Sequence, residues 1–230
     1  MPKRKEILTE KIRPYHILGK AVEGREIFDR EEDRARFVFQ MYAPNIGKPV
    51  INVYRKDIFL ISNALLKGEE IPKGYITQEH DPLVHIFSFV LTKDRYNLGL
   101  VPVKKEGIPL YMQKLNLGFA KYYNLKNKRK GTLFEGRFKA APIVSPAQLE
   151  IVVKYINIKK VIALHNQSAL PEYPYSSFPD LFGSRTSHLL SQEGRANLAK
   201  ILSEEFFIKR EDYASYVEDL DDESKGLLLN

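Results

Sequence analysis

Cysteine is absent from the 230 residues of this chain. That excludes a disulfide framework and a thiolate-held metal, and it makes the cytoplasm the expected compartment. Also missing is any run of about 18 apolar residues, so no transmembrane helix and no membrane role are expected. The opening residues, MPKRKEILTEKIRPY, carry charge without an apolar stretch and do not read as a secretory signal. Histidine is scarce and scattered. His16, His165 and His188 read as ordinary structural residues. His80 and His85, which precede one hairpin, leave a metal site relocated to that pair as an alternative. No internal repeat or low-complexity tract is evident.

Positive charge is present in excess and unevenly placed. The formal net charge is +7. From Val103 to Lys139 there are ten Lys/Arg against two Glu, a local net of +8, whereas Glu211 to Lys225 carries seven acids against one Lys, a net of −6. A clustered basic segment is the footprint of a polyanionic partner. Tyr111, Phe119, Tyr122, Tyr123, Phe134 and Phe138 are interleaved among those cations. Aromatic faces with cations suit unstacked bases and phosphates. The alternative is a solvated basic loop. Lys121, Lys126, Lys128, Arg129, Lys130, Arg137 and Lys139 are the candidate nucleic-acid contacts.

Hydrophobic residues make up 43% of the chain, enough for a core. The segment Tyr15–Val22 reads as a strand ending at the Glu23-Gly24 turn. Asp29–Tyr42 reads as an amphipathic helix with Asp29 as its cap and Phe37, Val38 and Met41 inward. Pro44, Gly47 and Pro49 are expected to break it. Lys56–Leu66 reads as a further helix and 68–82 as a loop, so 43–82 is treated as an elaboration on one domain. Leu83–Leu91 and Arg95–Val103 read as a hairpin around Thr92-Lys93-Asp94, with Arg95, Asn97 and Gly99 on one face. Pro109–Leu125 reads as a helix. Two tail helices are expected, Glu193–Phe207 and an acidic one over Arg210–Leu220. The pattern predicts an α+β fold: an antiparallel sheet with helices on one face.

The chain is organised around Gly131–Lys160, GTLFEGRFKAAPIVSPAQLEIVVKYINIKK. Ser145-Pro146 predicts a helix start, with a hydroxyl cap and proline in the first turn. Leu149, Val152, Val153 and Ile156 come next at helical spacing. Four residues separate Tyr155 from Lys159, which places them on one face of a regular helix. Tyrosine beside lysine, next to a basic loop, points to phosphate binding or phosphate chemistry; a rim tyrosine with a solvated lysine is the plainer alternative.

These segments resemble the single-tyrosine HUH transposases, in particular the branch associated with REP elements. Tyr15-His16 with Ile27-Phe28 resembles the family's opening strand and turn. Ala120-Lys-Tyr-Tyr-Asn124 and Gly131-Thr-Leu-Phe-Glu-Gly-Arg-Phe-Lys139 resemble YARYFN…GHLFQGRYK. Tyr155-Ile-Asn-Ile-Lys-Lys-Val161 resembles YIHLNPV, and Tyr173-Pro-Tyr-Ser-Ser-Phe178 resembles YPWSSY. The resemblance covers roughly residues 10 to 185 apart from 43–82. It implies a ferredoxin-like sheet with helices packed on it, a transposase-like domain over 1–185 and an added helical, acidic tail over 186–230. It also implies cleavage of single-stranded DNA near hairpins by a tyrosine with a divalent metal.

The match departs from the family at the metal. Where the family writes LMPNHVHLLL, this chain has Leu91-Thr-Lys-Asp-Arg-Tyr-Asn-Leu-Gly-Leu100, so the two histidine positions hold Arg95 and Asn97. The tyrosine matches Tyr155, and the third ligand position holds Lys159. Metal ligands must offer a lone pair, and charged arginine and lysine offer none. No cofactor is therefore expected. The leading expectation is a transposase-derived protein that binds DNA, single-stranded or hairpin, with RNA possible, and lacks metal-dependent cleavage. Two alternatives stand beside it. One is an active tyrosine nuclease or strand-transferase using Tyr155, with a divalent ion such as Mg or with Arg95 and Lys159 as electrostatic stabilisers. The other is a protein-interaction module using the acidic tail.

Overall fold

The computed structural model describes residues 13–49, 55–71, 74–165, 170–181 and 183–192. The elements are β1 (Tyr15–Lys20), α1 (Glu31–Ile46), β2 (Gly47–Pro49), α2 (Arg55–Lys67), β3 (Ile76–Gln78), β4 (Val84–Leu91), β5 (Arg95–Pro102), α3 (Gly107–Lys126), β6 (Lys139–Pro142), α4 (Pro146–Lys154), a π-helical turn (Tyr155–Lys159), α5 (Lys160–Leu164) and α6 (Phe178–Leu181). The main sheet has the order β4-β5-β1-β6 and is antiparallel throughout. In chain order its strands run strand–helix–strand, strand–helix–strand, with the first and third in the middle. That is the ferredoxin-like α+β arrangement. The fold class matches the sequence expectation.

Helices cover both faces of the sheet, not one. On one face Ile17, Phe89, Leu91, Tyr96 and Leu98 share a core with Phe37 of α1 and Phe119 of α3. On the other, Phe87 and Val90 pack with Val152 and Val153 of α4 and with Tyr155 and Ile156 of the π turn. This explains the near-continuous apolar run of β4, VHIFSFVL. A strand buried on both sides does not alternate. A bulge between Ile86 and Ser88 sets Phe87 against Gly99, where any side chain would collide with the ring.

The described residues of 43–82 are built into the same core. α1 continues through Pro44 to Ile46, and Arg30, not Asp29, occupies its N-cap. Asn45 clamps the helix end to β4: its Oδ1 accepts from the Leu83 and Val84 amides and its Nδ2 donates to the Val84 carbonyl. The segment expected as a loop includes β3, which pairs with β2. α2 buries Ile58, Ile61 and Leu65 in the main core, and its Ser62 donates to the Ala35 carbonyl at 2.6 Å.

The Tyr173–Phe178 segment lies along the outer edge of β4. Leu91 N donates to Tyr175 O and Ser177 N to Phe89 O. Arg185 pins it by donating to Asp180 and to the Pro174 carbonyl, and Leu189 and Leu190 are buried in the main core. The tail helices expected over Glu193–Phe207 and Arg210–Leu220 fall outside the described residues.

Candidate functional site

The strand register brings the polar residues together. β1 pairs with β5 so that Lys20 faces Arg95, Leu18 faces Asn97 and His16 faces Gly99. Cross-strand partners share a face, so His16, Lys20, Arg95 and Asn97 all point to the side covered by α4 and α5. His16 Nε2 and Asn97 Oδ1 lie 3.0 Å apart, both residues fully buried. Burial lowers the His16 pKa to about 4, so the imidazole is neutral near pH 7 and its Nε2–H donates to Asn97. His16 Nδ1 and Asn97 Nδ2 are left buried without a partner. His16, read from the sequence as an ordinary structural residue, is buried and bonded to Asn97. Alternation put it on the face opposite Tyr15 and Ile17; its partner is set by strand register, which no local pattern shows.

The helix after β6 supplies the other half. Ser145 caps α4 as expected, its hydroxyl accepting from Gln148 N. Leu149, Val152, Val153 and Ile156 are buried, as the spacing predicted. The helix then widens into a π turn, and Lys160 N bonds back five residues to Tyr155 O. One extra residue in the turn rotates the downstream side chains by most of a position. Lys160 comes over Tyr155: its Nζ sits above the ring, 4.6 Å from the centroid. Asn157, inside the turn, ties it to the sheet. Its Nδ2 donates to Ser88 Oγ at 2.8 Å and to Val153 O at 2.9 Å, and its Oδ1 accepts from Ser177 Oγ at 2.5 Å.

Tyr155 is buried between the two halves, with the His16 ring edge-on at 5.7 Å. Burial pushes its phenol up to about 12, and the Arg95 charge opposes that shift. Arg95 is held by Asp94, which accepts from Nε at 2.8 Å and Nη2 at 2.7 Å. This pairing holds the Asp94 carboxyl below its usual range. Guanidinium has five N–H donors, so Arg95 keeps others for a ligand. Burial, then the charges of Arg95 and Lys159, lower Lys160 to about 8, against the pull of Asp94. Lys20 stands beside Arg95 and pairs with Glu135 at 2.9 Å. The structure thus groups Arg95, Asn97 and Tyr155 with His16, Lys160, Asp94 and Lys20, and Lys159 lies near Lys160.

Among the described residues no three or more His, Cys, Asp or Glu side chains are grouped to hold a metal ion. Arg95, Lys159 and Lys160 offer no lone pair when charged. The Asn97 carbonyl oxygen already accepts from His16, and the Asp94 carboxylate is engaged by Arg95 on both oxygens. The alternative pair, His80 and His85, has these contacts. His80 Nδ1 bonds the Asp81 carbonyl, its Nε2 lies 3.3 Å from Lys114 Nζ, and His85 Nδ1 is buried without a partner.

The basic segment divides. Lys121, Lys128, Lys130, Arg137 and Lys139 are exposed. Lys126 is not a free contact. Its side chain is 6% exposed and lies 2.5 Å from Glu32 and 2.6 Å from Asp33, which draws it inward against α1. Arg129 folds back to donate to Asn124 Oδ1 at 2.7 Å and closes its own loop. No local sequence signal reveals the acids that hold Lys126, because they come from a helix far away along the chain.

Fold and site together define a ferredoxin-like domain with a buried tyrosine flanked by cations. No protein-family model and no curated protein matches the chain. Among solved structures it is similar to one described as the REP-associated tyrosine transposase bound to a REP hairpin, at 11% identity and a TM-score of 0.47, over 76% of this chain and 81% of that one. No helix among the described residues is long and apolar enough to cross a membrane.

Proposed function

We propose that this chain is a transposase-derived nucleic-acid-binding protein that holds single-stranded or hairpin DNA, with a cationic phosphate site where the resembled family places a divalent ion. One observation carries the reading: Arg95 from β5 and Lys160 from the π-turned helix converge on the same buried Tyr155. A guanidinium beside an ammonium, in partly dewatered surroundings, suits a phosphodiester. The Tyr155 ring serves to position Lys160. The sign of the replacement supports binding over cleavage, since these groups neutralise phosphate charge but activate no metal-bound water.

Titration of labelled hairpin and single-stranded DNA, with RNA of matching sequence as comparator, tests this. Arg95→Ala and Lys160→Ala should each weaken DNA binding about tenfold, as expected for loss of one charge-assisted contact. Unchanged affinity in both rejects the phosphate site. A covalent protein–DNA adduct formed with Mg and lost in Tyr155→Phe would establish a nuclease instead.

A further inference from the structure

We infer that the groove between α3 and residues 131–138 is a base-binding site for single-stranded nucleic acid. The inference rests on the nucleic-acid reading above. The groove has a volume of about 1200 Å³. One wall is a stripe of α3, with Leu110, Gln113, Leu117 and Lys121 spaced to share a helix face. The opposite stripe, Met112, Leu115 and Phe119, is buried in the core. Leu117 is therefore apolar without a core to join, and it is 64% exposed.

The other wall is held open by two asparagines of α3. Asn124 Nδ2 donates to the Gly131 carbonyl at 2.9 Å and Asn116 Nδ2 to the Arg137 carbonyl at 2.8 Å. Asn116 is itself fixed, since its Oδ1 accepts from the buried Tyr96 hydroxyl at 2.6 Å. Both ends of the 131–138 segment are thus tied to α3, and the groove exists before any ligand arrives. Arg137 and the half-buried Phe138 line this wall.

Charge selects the occupant. Lys121 and Arg137 are exposed on the rim, and Glu106 is the single acid on the lining. They lie in the Val103–Lys139 segment, whose local net charge is +8. An apolar floor under cations suits a base with its phosphates, the exposed Leu117 offering an apolar face and Gln113 an amide edge. The 131–138 segment links the groove to the site on the other face. The same 131–138 segment carries Glu135, which pairs with Lys20 beside Arg95. A strand with one phosphate at Arg95 and Lys160 crosses this segment to set the next bases in the groove.

The test compares a mixed-sequence single-stranded DNA with the same oligonucleotide carrying a run of abasic sites. The full chain should bind the intact strand about tenfold more tightly, the scale of one or two stacked bases. Leu117→Ser, at an exposed position, should bring that ratio close to one while leaving abasic binding unchanged. Equal affinity of the native chain for both strands overturns the base site and leaves the phosphate reading intact. Binding of neither strand sinks the functional reading itself. If Leu117→Ser leaves the ratio intact but abolishes self-association of the chain, the groove is a protein interface instead.

Discussion

Lys160 shows how one residue sets a testable condition on binding. Its amine is lowered to about 8 by burial and by the neighbouring cations. Only the ammonium form neutralises a phosphate. In the free protein that form is lost as pH rises through about 8, so DNA affinity is full below that point and falls above it. Binding titrations from about pH 6.5 to 9.5 should show this decline, and Lys160→Arg should flatten it, because guanidinium stays charged across the range. A native profile flat across that range would remove Lys160 from the phosphate site. Tyr155, pushed up to about 12, stays protonated throughout and contributes no slope.

At the scale of elements, the π turn carries Tyr155 and leads directly into Lys160. Asn157 holds that turn, with every polar atom of its side chain satisfied inside the core. Asn157→Ala leaves the hydroxyls of Ser88 and Ser177 without their shared partner. The expected cost is about 2 kcal/mol of folding stability, read as a lower urea midpoint with an unchanged m-value. Asn157→Asp keeps the acceptor but loses the donor to Val153 O and Ser88, and it should be at least as damaging, since it buries a charge. Full stability in Asn157→Ala would mean that packing of Val153 and Ile156 alone fixes the turn.

For the whole molecule, binding is expected to track the exposed cations only. With Lys121, Lys128, Lys130, Arg137 and Lys139 engaged, log affinity for single strands should fall with log salt at a slope of about −3.5. Lys126 separates surface charge from internal pairing. Lys126→Ala should leave that slope unchanged while costing about 3 kcal/mol of stability, because it strands the buried Asp33 carboxylate. A reduced slope in this variant, with stability intact, would return Lys126 to the binding surface.

Much of this protein is local and therefore legible in its residues. The β4–β5 hairpin follows from two apolar runs around Thr92-Lys93-Asp94. The α4 start follows from Ser145-Pro146, and the α3 core stripe from the spacing of Met112, Leu115 and Phe119. The shared face of Arg95 and Asn97 follows from strand alternation alone. Pairings between distant segments were decided only by the tertiary structure. The β1–β5 register joined His16 to Asn97, and α1 withdrew Lys126 through Glu32 and Asp33. The second helical layer showed only indirectly, as a β4 too apolar to have a wet face. The π turn is the sharpest case. Its five residues, YINIK, are compatible with an ordinary helix. Anchoring of Asn157 by Ser88 and Ser177, from β4 and the segment along its edge, accompanies the extra residue in the turn, and the turn leads directly into Lys160 over Tyr155. Contacts within a few residues are governed by propensity and period, whereas these depend on which strands pair and how each sheet face is filled.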